Sequence, residues 1–197
     1  MKYFKNILLT ITLAFVFNGC GIMATLVMTP NTDKMNDYNV SSTNQALLKP
    51  LSKHAYKVNV GEFIDTTDTN NTLKCRLMNA VTPPKDKTYA SYMQEAFIKE
   101  LSASNLYSRK SDISIYAKIH EIYGSTTYGD AYWSFDITLI SSNQESYHLI
   151  SKYKYPSSIS ALYACTEMCE TFPLALQKLI HDAIKDPKFK KLLQKSK

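Results

Sequence analysis

Apolar and polar residues alternate along four stretches of the chain, and each stretch reads as a half-buried strand. Tyr56, Val58 and Val60 alternate with Lys57, Asn59 and Gly61, opening a strand that runs to about Ile64. Ile113, Ile115, Ala117 and Ile119 alternate with Ser114, Tyr116, Lys118 and His120. Trp133, Phe135, Ile137 and Leu139 share one face, with Ser134, Asp136 and Thr138 on the other. Tyr147, Leu149, Ser151, Tyr153 and Tyr155 form the last run. Turn residues at 124–129 and the SSNQE segment at 141–145 link the last three, which makes them antiparallel neighbours.

In two other regions the apolar spacing lengthens to three and four residues, the period of a helix. Tyr89, Tyr92, Met93, Ala96, Phe97 and Leu101 predict a helix from 88 or 89 to about 104. Thr88 serves as its N-cap, Asn105 suits the left-handed position after it, and Leu106 closes the cap. A longer period runs from Ala161 through Cys165, Met168, Phe172, Leu176 and Ile180 to Ile184. Pro173 inside it predicts a kink or a division into two helices. Asp186-Pro187 then opens a short terminal helix carrying Phe189, Leu192 and Leu193. The order β-α-β-β-β-α predicts an α+β fold: two layers, with a four-stranded, mainly antiparallel sheet under two main helices.

One further apolar run stands apart from this pattern. Residues 7–17, behind Lys2 and Lys5, have the length of a signal-peptide core and fall short of the roughly 20 residues a spanning helix needs. The run stops at Asn18-Gly19-Cys20. A small residue directly before a lone cysteine resembles the lipobox of bacterial lipoproteins, which implies cleavage before Cys20 and a lipid on its thiol. Residues 1–19 are then a lipoprotein signal peptide, 20–55 the lipidated cysteine and a polar tether, and 56–197 a single α+β domain. The tether reading rests on turn-forming polar residues without a period, as in TPNTD at 29–33 and NDYNVSSTNQ at 36–45. The apolar piece 22–28 lies near the membrane surface or against the domain. Gly21, and not Asp, follows Cys20, which by resemblance to enterobacterial sorting implies the outer membrane.

Composition changes this picture little. Processing leaves 178 of the 197 residues, and the net charge falls from +6 to +4 as Lys2 and Lys5 depart. A mild positive excess suits anionic headgroups or cell-wall polymers nearby. Export and the lack of any recognised motif exclude nucleic acid as a partner. The 14 tyrosines favour strands and half-exposed sheet faces. Cys75, Cys165 and Cys169 remain in a compartment where disulfides form. Cys165 and Cys169 sit four apart on a helix, a poor geometry for bridging each other, so the expected bridge joins Cys75 to one of them, with Cys165 preferred.

Candidate chemistry is sparse. There is no Gly-x-Ser-x-Gly, no His-Glu-x-x-His, no P-loop and no Gly-x-Gly-x-x-Gly in the sequence. His120-Glu121 is the nearest thing to a catalytic pair, but on a regular strand adjacent side chains project to opposite faces. Cys165 and Cys169 could offer two thiolates to zinc, with His148 or His181 as further ligands, although no motif places those histidines. The DTTDTNN loop at 65–71 lacks the Gly and terminal Glu of a calcium loop. No cofactor and no metal are expected. The lysines at 185, 188, 190, 191, 195 and 197 form the one dense basic run. They line either a solvated helix face or an amphipathic helix resting on an anionic surface.

Beyond the lipobox, the order of elements resembles the small α/β envelope lipoproteins related to YajG and to the N-terminal domain of TolB. Particular residues resemble an uncharacterised group of bacterial lipoproteins. They are Cys75-Arg76, Thr88-Tyr89-Ala90-Ser91-Tyr92, Trp133-Ser134-Phe135, Ser141-Ser142-Asn143, Ala164-Cys165, Phe172-Pro173-Leu174-Ala175-Leu176-Gln177 and Asp186-Pro187-Lys188-Phe189. The resemblance implies an accessory or binding role in the envelope and no reaction. The expected function is a membrane-anchored, non-enzymatic domain that binds an envelope protein or a cell-wall component. The alternative is a carrier of a small molecule or lipid in a cleft between sheet and helices. Replacing the anchor residue separates the lipoprotein reading from any other: Cys20→Ser protein is expected in the soluble fraction of broken cells, and its retention with membranes contradicts that reading.

Overall fold

The computed structural model describes residues 34–54, 56–67, 73–76, 79–84 and 87–195. The proposed signal peptide, Cys20 and the first part of the expected tether lie outside these residues. The described elements are α1 (Ser42–Ser52), β1 (Asn59–Asp65), β2 (Leu73–Cys75), β3 (Asn79–Val81), α2 (Tyr89–Ala103), β4 (Ser114–Ser125), β5 (Ala131–Ser141), β6 (Ser146–Tyr155), α3 (Ala161–Lys185) and α4 (Pro187–Leu192).

The fold is α+β, built on a four-stranded sheet in the order β1-β4-β5-β6. The three later strands pair antiparallel through tight turns, and β5 meets β6 without a register shift from Ala131↔Tyr155 to Ile140↔Ser146. β1 lies parallel to β4, with Asn59 opposite Ser114 and Asp65 opposite Ile119. A parallel neighbour requires a crossover, and α2 supplies it. Thr88 Oγ1 accepts from the Ser91 amide at 3.0 Å, which fixes the start of α2. Asn105 ends it with φ +56°, and the Leu106 amide donates to the Leu101 carbonyl at 2.8 Å.

Alternation decides what the sheet buries. Ala131, Trp133, Phe135, Ile137 and Leu139 of β5 all face the helices and are buried, while the residues between them are half-buried. Phe172 of α3 is fully buried and its ring meets four others: Trp133 at 4.8 Å, Tyr89 at 5.6 Å, and Tyr92 and Phe135 at 5.8 Å between centroids. Gly124 of β4 leaves the space into which Trp133 and Met168 pack, since a Cβ there would lie 2.2 Å from Met168 Cε. Pro173 does not divide the long helix: α3 is continuous from Ala161 to Lys185 with Pro173 buried. Proline costs a helix about 3 kcal/mol. Burial of Phe172, Ala175, Leu176, Leu179 and Ile180 around it outweighs that cost.

Two elements depart from the sequence expectation. The link before α2, for which the sequence pattern predicts no strand, contains a short hairpin, β2 against β3, with Leu73↔Val81 and Cys75↔Asn79. Residues 34–54, expected as part of a polar tether, are packed against the domain. Met35, Tyr38 and Leu48 are buried, and α1 is capped by Ser41, whose side chain accepts from the Asn44 amide. Polar contacts to the buried carboxylate of Glu100 on α2 hold the segment. Glu100 accepts from Tyr38 Oη at 2.5 Å, Gln45 Nε2 at 2.6 Å, the Ser41 amide at 2.8 Å and Asn44 Nδ2 at 3.3 Å. Gln177 of α3 donates to the Asn39 carbonyl at 2.8 Å, and Tyr92 donates to that of Asn36 at 2.5 Å.

Glu100→Ala leaves these donors facing a void, and we expect a loss of about 3 kcal/mol in denaturant unfolding. Amide exchange should rise first in residues 36–52, and an equal rise across β5 would contradict this assignment. Burial also raises the pKa of Tyr38, Tyr89, Tyr92, Tyr147 and Tyr155 above the ordinary phenol value. A raised folded pKa leaves stability whole below the unfolded value near 10 and removes it above, by up to about 1.4 kcal/mol per pH unit for each tyrosine. Alkaline titration should therefore show tyrosinate absorbance rising together with loss of far-ultraviolet dichroism.

Candidate functional site

Helices cover one face of the sheet, and the opposite face is the broadest surface the strands present. The same alternation that buries Trp133 and Phe135 turns Tyr132, Ser134, Asp136 and Thr138 outward, beside Tyr116 and His120 of β4 and His148, Ile150 and Lys152 of β6. A β-bulge interrupts β4: Ile119 lies opposite Ile137, but Glu121 already lies opposite Asp136. Ile119 and Ile122 are both buried, and His120 and Glu121 between them are both exposed. The expectation that these two project to opposite faces is thus corrected. The spacing from Ile119 to Ile122 carried the signal, because the apolar run skips one place there.

Two hydrogen-bonded pairs occupy the centre of this face. His148 Nε2 lies 2.6 Å from Asp136 Oδ1, and His120 Nε2 lies 2.9 Å from Thr138 Oγ1. The two imidazoles are 6.0 Å apart. A hydroxyl nucleophile needs its own histidine oriented by an acid. Here the acid holds one histidine and the hydroxyl contacts the other, so the groups form two pairs and no relay. Toward the β4–β5 turn the face becomes aromatic: Tyr123 and Tyr132 rings lie 5.8 Å apart, and Lys152 Nζ stands 3.3 Å from the Tyr132 centroid. Toward β1, the Tyr116 ring covers Gly61, where an added Cβ would come within 2.2 Å of it. Ile64 and Ile150 are exposed on this sheet as well. Aromatic rings, a cation and isolated aliphatic groups on a rigid sheet suit recognition of another surface.

Among the other residues singled out in the sequence, Cys20 lies outside the described residues. Cys75 and Cys165 are joined by a disulfide, with 5.6 Å between Cα atoms and 90 residues between them in sequence. A loop of that length gives about 4–5 kcal/mol by the chain-entropy relation. Cys169 lies buried one turn further along α3. With Cys165 in the disulfide, the two cysteines cannot offer zinc a pair of thiolates. Among the described residues no group of three or more His, Cys, Asp or Glu side chains is placed to hold a metal ion. Asp65 accepts from the Thr67 amide at 2.8 Å, an ordinary turn contact, while most of the remaining loop lies outside the described residues. The terminal helix resolves the alternatives for the described part of the basic run: Phe189, Leu192 and Leu193 are buried in the core, so Lys188, Lys190 and Lys191 line a solvated face, while Lys197 lies outside the described residues. Ser141 and Asn143 fasten that helix by donating to the carbonyls of Leu192, Lys191 and Gln194 at 2.7–2.8 Å.

Two concave features lie away from the open sheet face. An apolar cavity of about 20 Å³ lies between sheet and helices, lined by Phe63, Phe97, Ile137, Leu139, Leu176 and Ile180 among others. That is room for one water-sized molecule without a polar partner. A shallower, open groove of about 370 Å³ lies between α1, α3 and β6, lined by Ser41, Thr43, Tyr153, Leu174, Gln177, Lys178 and His181.

No protein-family model matches this chain, and comparison with curated proteins returns no match. Solved structures offer distant likenesses. Protein XCC0632 from Xanthomonas campestris, of family DUF330, aligns with a TM-score of 0.49 at 8% identity over 69% of this chain and 85% of its own. A minor lipoprotein from Acinetobacter baumannii aligns at 0.39 with 8% identity, over 70% of this chain and 96% of its own. Lipoprotein GNA1162 from Neisseria meningitidis aligns at 0.25 with 14% identity, over 55% and 90%. Likeness at these values assigns neither family nor activity.

Proposed function

We propose that this chain is a lipid-anchored envelope protein, held to a membrane through Cys20, whose domain is a binding module and not an enzyme. One observation carries the binding part: a sheet of four strands with helices, among the described residues, on one face only, its other face exposing Tyr116, Tyr123 and Ile150 among charged and hydroxyl side chains. The partner is an envelope protein or a cell-wall component, and the resemblance to accessory lipoproteins supports that class. The anchor reading rests on the lipobox-like Asn18-Gly19-Cys20, and Gly21 after it favours the outer membrane. Among the described residues no helix is long and apolar enough to cross a membrane. The carrier alternative receives less support: the apolar cavity between sheet and helices holds about 20 Å³, far too little for an acyl chain, and the larger groove beside α1 is open and lined largely by polar side chains.

Photo-crosslinking in cells tests the binding face. A photoreactive residue at Tyr116 or Ile150 of the full chain should trap one discrete envelope species, while the same residue at Lys190 should not. Crosslinking at Lys190 alone, or at no position despite normal protein levels, contradicts the proposal.

A further inference from the structure

The geometry points to a membrane-resting end: Ile159, Leu162, Tyr163 and Tyr128 lie in the interfacial layer of the bilayer that carries the Cys20 lipid. This inference rests on the anchor reading above and adds the orientation of the domain. In a chain whose large apolar side chains are mostly buried, these four are 73%, 53%, 64% and 66% exposed. They gather at one end of the sheet. Leu162 and Tyr163 occupy the first turn of α3, Ile159 precedes it, and Tyr128 sits in the β4–β5 turn.

Arg76 and the disulfide fix this end. The guanidinium of Arg76 donates to the carbonyls of Ile159 at 2.5 Å, Ser158 at 2.6 Å and Thr126 at 2.9 Å, tying both loops to the β2–β3 hairpin. Arg76 itself holds φ +46°, a conformation that ordinary residues avoid, next to the Cys75–Cys165 bridge. Loops fastened in this way keep their apolar side chains outward.

The position of the anchor decides what covers them. The described chain begins at the same end: Lys34 bridges Thr82, just past β3, and the Met35 amide donates to the Thr82 carbonyl at 3.1 Å. Residues 35–41 then run away from it, along α2 toward Glu100. From Cys20 to Lys34 a fully extended chain spans at most about 50 Å. The opposite end, with Lys188 and Lys190 on α4, lies a strand length of about 40 Å further on. The Arg76 end therefore meets the bilayer without using that contour, and the lysine end would use nearly all of it. Tyrosine and aliphatic side chains suit the headgroup boundary, where rings sit with the hydroxyl in water.

The test uses the full lipidated chain in vesicles of phosphatidylethanolamine and phosphatidylglycerol, with an environment-sensitive fluorescent amino acid at Tyr163 or, in a second protein, at Lys190. Quenching by headgroup-labelled nitroxide lipid should be on the order of threefold stronger at 163 than at 190. Replacing Ile159 and Leu162 by Ser should bring the 163 signal down to the 190 level while the protein stays bound. Equal quenching at both positions overturns the inference, as does burial of position 163 in a dimer without vesicles. Intact-mass measurement keeps the two readings apart. A chain without lipid on Cys20 fails the anchor reading, whereas a lipidated, bound chain unquenched at 163 fails only the orientation.

Discussion

Phe172 stands where helix layer and sheet meet, its ring in contact with Tyr89 and Tyr92 of α2 and with Trp133 and Phe135 of β5. Because one side chain touches both partners, α3 cannot slide along the sheet without opening a void on two sides. Truncating a buried phenylalanine costs about 3–5 kcal/mol, a large part of the stability of a domain this size. The consequences reach both ends of the helix. Its first turns lie over the β2–β3 hairpin, where Cys165 can meet Cys75, and its last turn brings α4 to the β5–β6 turn. Trp133 adds a directional contact by donating to the Met168 carbonyl at 3.2 Å.

Glu100 adds a second constraint of a different kind. No lysine or arginine faces its carboxylate in the hydrogen bonds described; amide and phenol donors from residues 38–45 do. Hydrogen bonds to an ionised group are each worth about 1.5–3 kcal/mol, but desolvating that group costs several. The balance favours docking because Met35, Tyr38 and Leu48 are buried in the same step. The segment is thus part of the domain, which includes the residues from 34 onward and does not begin at about 56.

This is also where sequence reading reached its limit. β4, β5, β6, α2 and α3 were legible, since their apolar residues repeat with the period that burial against one partner imposes. Residues 34–54 were not. Their attachment uses a few apolar residues and many side-chain amides, and hydrogen bonds across 55–62 positions leave no local period. The parallel placement of β1 was hidden for a similar reason: alternation gives the face of a strand, while its direction follows from the crossover through α2. Of the open sheet face, the tyrosines were visible as outward positions, but the histidine pairs depend on register and on a bulge of one residue.

The two exposed regions differ in what water does to them. On the open sheet face, aromatic groups alternate with His, Asp, Thr, Ser and Lys, so the bare face is well hydrated and can stand without a partner. Its edge strand β6 carries Lys152 and Lys154, charges that discourage pairing with another sheet edge. Such a face suits association that forms and breaks. At the Arg76 end the polar groups of the loops are spent on one another: the carbonyls of Thr126, Ser158 and Ile159 are taken by the guanidinium, and the Ser158 amide donates to Glu167 at 2.7 Å. Ile159, Leu162, Tyr163 and Tyr128 face outward there, next to the exposed Asp130–Lys154 ion pair. Using the polar groups internally makes that end rigid and leaves its apolar side chains poorly screened from water. A permanent covering suits that state better than a transient one, and under the proposed anchor that covering is the membrane.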